Sequence, residues 1–211
     1  VHSQLGIAAY QRAPTLCWIY AGPVMLHGLC AVATVASIVL MLGVVSGPIL
    51  LLLWAIYLSL CTVGQDFLSF QWDVLLLETV FVAMFFVPWR WRRAYPTPPR
   101  RVGLWLVWSL LFKLMFLSGV TKLLSGDPMW ANLAALDVHY QTQPLPTWIG
   151  WHAHQLPGAW QRFSVAVMFV VEIVLPLFIL APRRLRHAAG TAMILFQLSI
   201  AITGNYGFFN L

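Results

Sequence analysis

An all-α, polytopic transmembrane helix bundle of about six spans is the fold class this chain predicts, and three observations predict it. Hydrophobic residues make up 61% of the 211 residues and charged residues only 9%, against roughly a quarter charged in a soluble domain. The apolar residues fall into runs, most of them near the roughly 20 residues that cross a bilayer. The basic residues collect in short loops between those runs, as they do on the cytoplasmic side of a membrane. The net charge of +6 is therefore topology information and not a nucleic-acid footprint.

The first span is expected at about 24–42, followed by a tight turn from Gly43 to Pro48. The second, at about 49–63, is short, and an earlier start near Val44 is the alternative. The third runs over 72–88 and stops at Pro88; the fourth, fifth and sixth occupy 102–124, 162–181 and 188–204. Arg90, Arg92, Arg93, Arg100 and Arg101 follow span three, and Arg183, Arg184 and Arg186 follow span five. These two loops lie two spans apart, so they share one side, the cytoplasmic one. Residues 1–23, 64–71 and 125–160 share the other, with only Arg12, Lys122 and Arg162.

The 125–160 segment is a long, partly helical outer loop. Asp127-Pro128 reads as a helix start, an N-cap followed by proline at the first helical position, with the helix ending near Leu136. Residues 137–146 read as a polar turn. Trp148, Trp151 and Trp160 place the loop on the membrane surface, and long ordered loops are more often functional than decorative. Residues 1–211 read as a single transmembrane domain. The missing initiator Met, signal peptide and polar tail mark it as part of a longer chain.

Three ionisable residues fall well inside spans, where a charge is costly: Glu78, Lys113 and Glu172. Lys113 lies roughly 16 Å below the outer end of span four and Glu172 roughly 15 Å below that of span five. Glu78 is shallower, roughly 9 Å in from Trp72. Lys113 is expected to pair with Glu172 or with Glu78, as a structural lock or as a proton-handling or substrate site. Lys122, two and a half turns further on, faces away from Lys113 and is expected to snorkel to the outer surface. Gln71 and Glu78 share a helix face, so they form a polar track or, for Gln71, satisfy loop backbone. Pro176 should free the carbonyl of Glu172 and kink span five.

His139, His152 and His154 lie in the outer loop; His152-Ala153-His154 could ligate a metal, but no third acid or Cys falls at a diagnostic spacing, so no metal site is expected. Cys17, Cys30 and Cys61 give no disulfide framework. There is no nucleophile elbow, P-loop or dinucleotide fingerprint.

Four blocks carry a resemblance: FLSFQWDVLLLET (67–79), SGVTKLLSGDPMWANLAALDVHYQTQPLP (118–146), APRRLRHAAG (181–190) and FQLSIAITGNYGFFN (196–210). The chain resembles the lipase maturation factor family over almost its whole length from about residue 12. In that family Gln71, Trp72, Asp73, Glu78, Asn205 and Tyr206 belong to signature blocks. The resemblance implies multi-pass proteins of the endoplasmic reticulum membrane in animals, which help secreted dimeric lipases fold and assemble. It also implies a distant similarity to the membrane domain of vitamin K-dependent carboxylases, and supplies no cofactor, metal or catalytic residue. It makes Asp127, Trp130, Asp137, His139, Tyr140 and Gln143 the candidates for contact with a secreted lipase or other exported client. A large domain that follows GNYGFFN in the family lies beyond this sequence. Ten Arg against two Lys suggest a GC-rich, bacterial genome, where the membrane would be the cytoplasmic one.

The residues leave two main readings open. One is a non-enzymatic maturation factor whose outer loop engages a client. The other is a membrane enzyme acting on a lipid or quinone-like substrate, with Lys113, Glu78 and Glu172 in a polar pocket. A transporter lacks the repeats or paired broken helices it would need.

Overall fold

A computed structural model describes residues 8–43, 46–87, 89, 101–143 and 145–206. The chain separates into two compact units, Val1–Val107 and Trp108–Leu211. Among the described residues there is no strand beyond one isolated bridge between Pro146 and Gly204. Five helical stretches among the described residues are long and apolar enough to cross a membrane, and a sixth helix of 16 residues is somewhat shorter.

The first unit holds α1 (Ala8–Arg12), α2 (Pro23–Met41), α3 (Ser46–Gly64) and α4 (Gln71–Phe86). Pro23 opens α2 at a position where its missing N–H is no loss. Helix α3 begins at Ser46, close to the earlier of the two expected starts. Its buried Ser59 accepts the backbone N–H of Leu16 at 2.9 Å, which ties the N-terminal segment to this helix. Helix α4 is capped by its own Asp73, whose Oδ2 accepts the Phe70 N–H at 3.0 Å. The tyrosine hydroxyl of Tyr57 on α3 donates to Asp73 Oδ1 at 2.5 Å. The expected end of this span at Pro88, and the basic cluster of Arg90, Arg92, Arg93 and Arg100, lie outside the described residues.

Helix α5 (Arg101–Leu124) contains the division between the units. The second unit continues with α6 (Pro128–Ala131), α7 (Ala135–Thr142), α8 (Trp148–His154), α9 (Gly158–Phe169) and α10 (Arg183–Thr203). After α9 the chain widens into a π-turn, Val170–Val174, and then tightens into a 3-10 stretch, Leu175–Leu180. Pro176 has no N–H for the carbonyl of Glu172, so the regular ladder cannot run through this point. The core of the unit is Met115, Val171, Ile179, Ala189 and Met193.

The outer segment differs from the sequence reading in three places. The helix after Asp127 is a single turn, and residues 137–146 are not a turn throughout: 135–142 form α7. The polar residues and Pro144 suggested a turn, but Ala135, Leu136, His139 and Tyr140 form an i, i+1, i+4, i+5 stripe. All four line one cavity, and packing of that stripe around the buried Ala135 favours the helix. Helix α8 was not expected. The Arg183–His187 stretch, read as loop, is the first turn of α10, and the Arg186 guanidinium stacks 4.6 Å from the Trp108 ring centroid.

Candidate functional site

The site lies in the second unit, where α5 meets the π-turn that follows α9. Gly119 allows the approach: a Cβ built there would sit 2.5 Å from Ile173 Cγ1 and 3.1 Å from Glu172 Cβ. Glu172 is buried to 5% exposure. Its carboxylate takes Lys122 Nζ at 2.7 Å and 2.6 Å, one contact per oxygen. Lys122 Nζ also donates to Ser118 Oγ at 2.9 Å and sits 5.7 Å from the Trp130 ring centroid. The ammonium has three N–H groups, and two carboxylate oxygens and one hydroxyl occupy them.

The partner of Glu172 is therefore Lys122, not Lys113, and Lys122 does not snorkel outward. Depth along a helix axis places Cα atoms and not side-chain ends. Helical side chains lean toward their own N-terminus, so Lys122 leans back along α5 toward Ser118, one turn earlier. In the π-turn that continues α9, where the chain returns from the opposite direction, the same rule tips Glu172 toward the end that carries the 125–160 segment. The two residues converge although their Cα atoms enter at different depths. A signal was present in the sequence: Ser118 and Lys122 are four apart, on one face.

Of the other charged candidates, Glu78 is half-buried on α4 and Lys113 occupies an exposed position on α5. Among the signature residues, Asp73 is the buried cap, Gln71 and Trp72 are exposed at the start of α4, and the Trp72 ring stacks on Phe70 at 4.6 Å. Asn205 is exposed, while the Tyr206 hydroxyl lies 3.0 Å from His139 Nε2.

A cavity of about 500 Å³ opens beside the ion pair. Lys122, Glu172, Trp130, His139, Tyr140 and Tyr206 all reach its wall. Three of the expected client contacts, Trp130, His139 and Tyr140, thus line a cavity. Asp127 is used locally, accepting the Met129 N–H at 2.9 Å as an N-cap. Gln143 is buried and donates to the Thr203 carbonyl at 3.3 Å. Asp137 is half-buried in the first turn of α7. Partial desolvation of the His139 ring lowers its pKa below the usual imidazole value, so the ring is neutral near pH 7. Burial raises the hydroxyls of Tyr140 and Tyr206, which stay protonated.

The outer segment is pinned to the end of α10. Thr147 caps α8 through the Gly150 N–H at 2.9 Å and also donates to the Ile202 carbonyl at 2.9 Å. Gly150 lies so close to the Thr203 carbonyl that no side chain would fit. Trp148, Trp151 and Leu145 remain exposed at 79%, 58% and 62%.

Apolar helices of spanning length, a charge pair between two of them and a folded segment at their ends define a multi-pass integral membrane protein. The chain belongs to the lipase maturation factor family: the model of the lipase maturation factor transmembrane domain matches residues 2–211. It is 49% identical to human Lipase maturation factor 2 over 191 residues, covering 85% of this chain and 27% of the relative. It is 46% identical to the chicken (Gallus gallus) Lipase maturation factor 2 over 210 residues, 93% of this chain and 29% of the relative. Mouse Lipase maturation factor 1 is 36% identical over 211 residues, 97% of this chain and 37% of the relative. The chain thus spans well under half the length of these relatives. No solved structure matches it.

Proposed function

We propose that this chain is the membrane part of a maturation factor that assists the folding or assembly of a secreted lipase or another exported client. Family membership supports the reading, and one structural observation carries it to a surface. The 125–160 segment is folded and fastened to α10, so it holds Leu145, Trp148 and Trp151 outward on a fixed support. Exposed aromatic anchors on a rigid platform are the usual centre of a protein contact. In an animal cell the membrane would be that of the endoplasmic reticulum; in a bacterium, the cytoplasmic membrane.

The test is co-expression of the full-length protein with a secreted lipase reporter. Replacing Leu145, Trp148 and Trp151 by Ser should lower both co-purified lipase and secreted lipase activity several-fold, with the membrane part still folded. Unchanged capture and secretion would remove the segment from the contact.

A further inference from the structure

The cavity of the second unit has walls, charges and polar groups that together restrict what it can hold. Its walls are largely apolar, with Leu136, Trp160, Met168 and Phe196 prominent. Its volume of about 500 Å³ falls in the lower half of the range of about 300–1,000 Å³ typical of small-ligand sites. That suits one hydrocarbon chain better than two. Trp160, Phe163 and Val167 of α9 both line the cavity and are exposed at the protein surface. Because α9 belongs to a membrane-spanning stretch, that rim meets lipid.

The charges argue against an anionic ligand. Lys122 already has two carboxylate oxygens and a serine hydroxyl within 2.9 Å. A phosphate or carboxylate would have to displace Glu172, leaving a second buried anion behind. The groups left to recognise a head are uncharged. His139, Tyr140, Thr203 and Tyr206 all reach the wall where α10 ends, and partial desolvation favours the neutral His139 ring. Phe196 lies seven residues back along α10, roughly 10 Å deeper.

We infer that this cavity binds an uncharged single-chain lipid. Its acyl chain lies between α9 and α10, and its hydroxyl- or ester-bearing head meets Tyr140, Thr203 and the His139–Tyr206 pair. The bilayer supplies such molecules through the α9 rim. The site is independent of any client: it would hold a lipid whether or not the chain serves a lipase.

The experiment uses the chain in phosphatidylcholine nanodiscs with a photoactivatable, clickable monoacylglycerol, and a lysophosphatidic acid probe of the same chain length beside it. Cross-linked peptides are mapped by mass spectrometry. The monoacylglycerol should label 136–140 and 196–203. Ser199→Phe, which fills the cavity from α10, should lower that labelling about tenfold, equivalent to roughly 1.4 kcal/mol, while Ser199→Ala leaves it unchanged. A sharp unfolding transition certifies each variant, and Ala153→Leu on the facing wall replaces Ser199→Phe should that protein not fold. Labelling confined to outward residues such as Ile194 and Leu195, or labelling indifferent to both filling variants, would overturn the site. Stronger labelling by lysophosphatidic acid that Lys122→Gln abolishes would overturn the uncharged head.

Discussion

The two units each bury a carboxylate, and they treat it differently. Asp73 in the first unit is 3% exposed and Glu172 in the second is 5% exposed. Asp73 stands in the first turn of α4, where free backbone N–H groups and the positive end of the helix dipole favour an anion. Neutral donors meet both its oxygens: the Phe70 N–H and the Tyr57 hydroxyl. Glu172 stands far inside its helix, where most backbone N–H groups are already engaged. It takes a full positive charge from Lys122 on another helix. Position along a helix thus decides whether a buried carboxylate can be held by dipoles or needs a counter-ion.

The same chemical change at the two sites should therefore give different results. Glu172→Gln leaves the half-buried Lys122 ammonium without its anion and should cost up to about 3 kcal/mol, the lower end of the cost of breaking a buried pair, read as unfolding in detergent. Lys122→Met combined with Glu172→Leu should recover most of that loss, since a well-packed apolar pair replaces a buried ion pair with little penalty. Strictly additive single and double losses would show that the two residues do not act as a pair.

A Leu at Gly119 should come next. It would force α5 away from Ile173 and Glu172, at about 1–3 kcal/mol for overpacking, and should lower the unfolding temperature without any dependence on charge. Asp73→Asn should be milder, below about 1 kcal/mol, because an amide oxygen still caps the helix. If Asp73→Asn proved as damaging as Glu172→Gln, the contrast between the sites would be lost.

The smallest expected effect is at His139. Its folded pKa lies below the usual 6.5, so between those two values the unfolded chain binds more protons. Stability from this group is complete above pH 6.5 and declines as pH falls through 6.5 toward the lowered folded value. His139→Gln should flatten that part of a stability-against-pH profile; an unchanged slope would locate the titration elsewhere.

Local signals were legible wherever one stretch of chain settled the matter. Apolar length placed the long, spanning helices to within a few residues. Asp127-Pro128 marked a helix start, and Pro176 marked the break that appears as a π-turn followed by a 3-10 stretch. The partner of Glu172 was not legible, because depth along an axis says nothing about the direction a side chain leans. Helix α7 is hidden in the sequence because a polar composition masks a stripe that packs on α8 and α9.

The sequence by itself determined the class of this protein: an integral membrane helix bundle of the lipase maturation factor family. Hydrophobic length, caps and proline positions act within a few residues of themselves, so they can be read from a single strand of text. Only the tertiary structure decided that Lys122 meets Glu172, that Trp130, His139 and Tyr140 line a cavity, and that the outer segment is fastened to α10. Each of these depends on two helices approaching from opposite directions, with Gly119 and Gly150 setting how close they come.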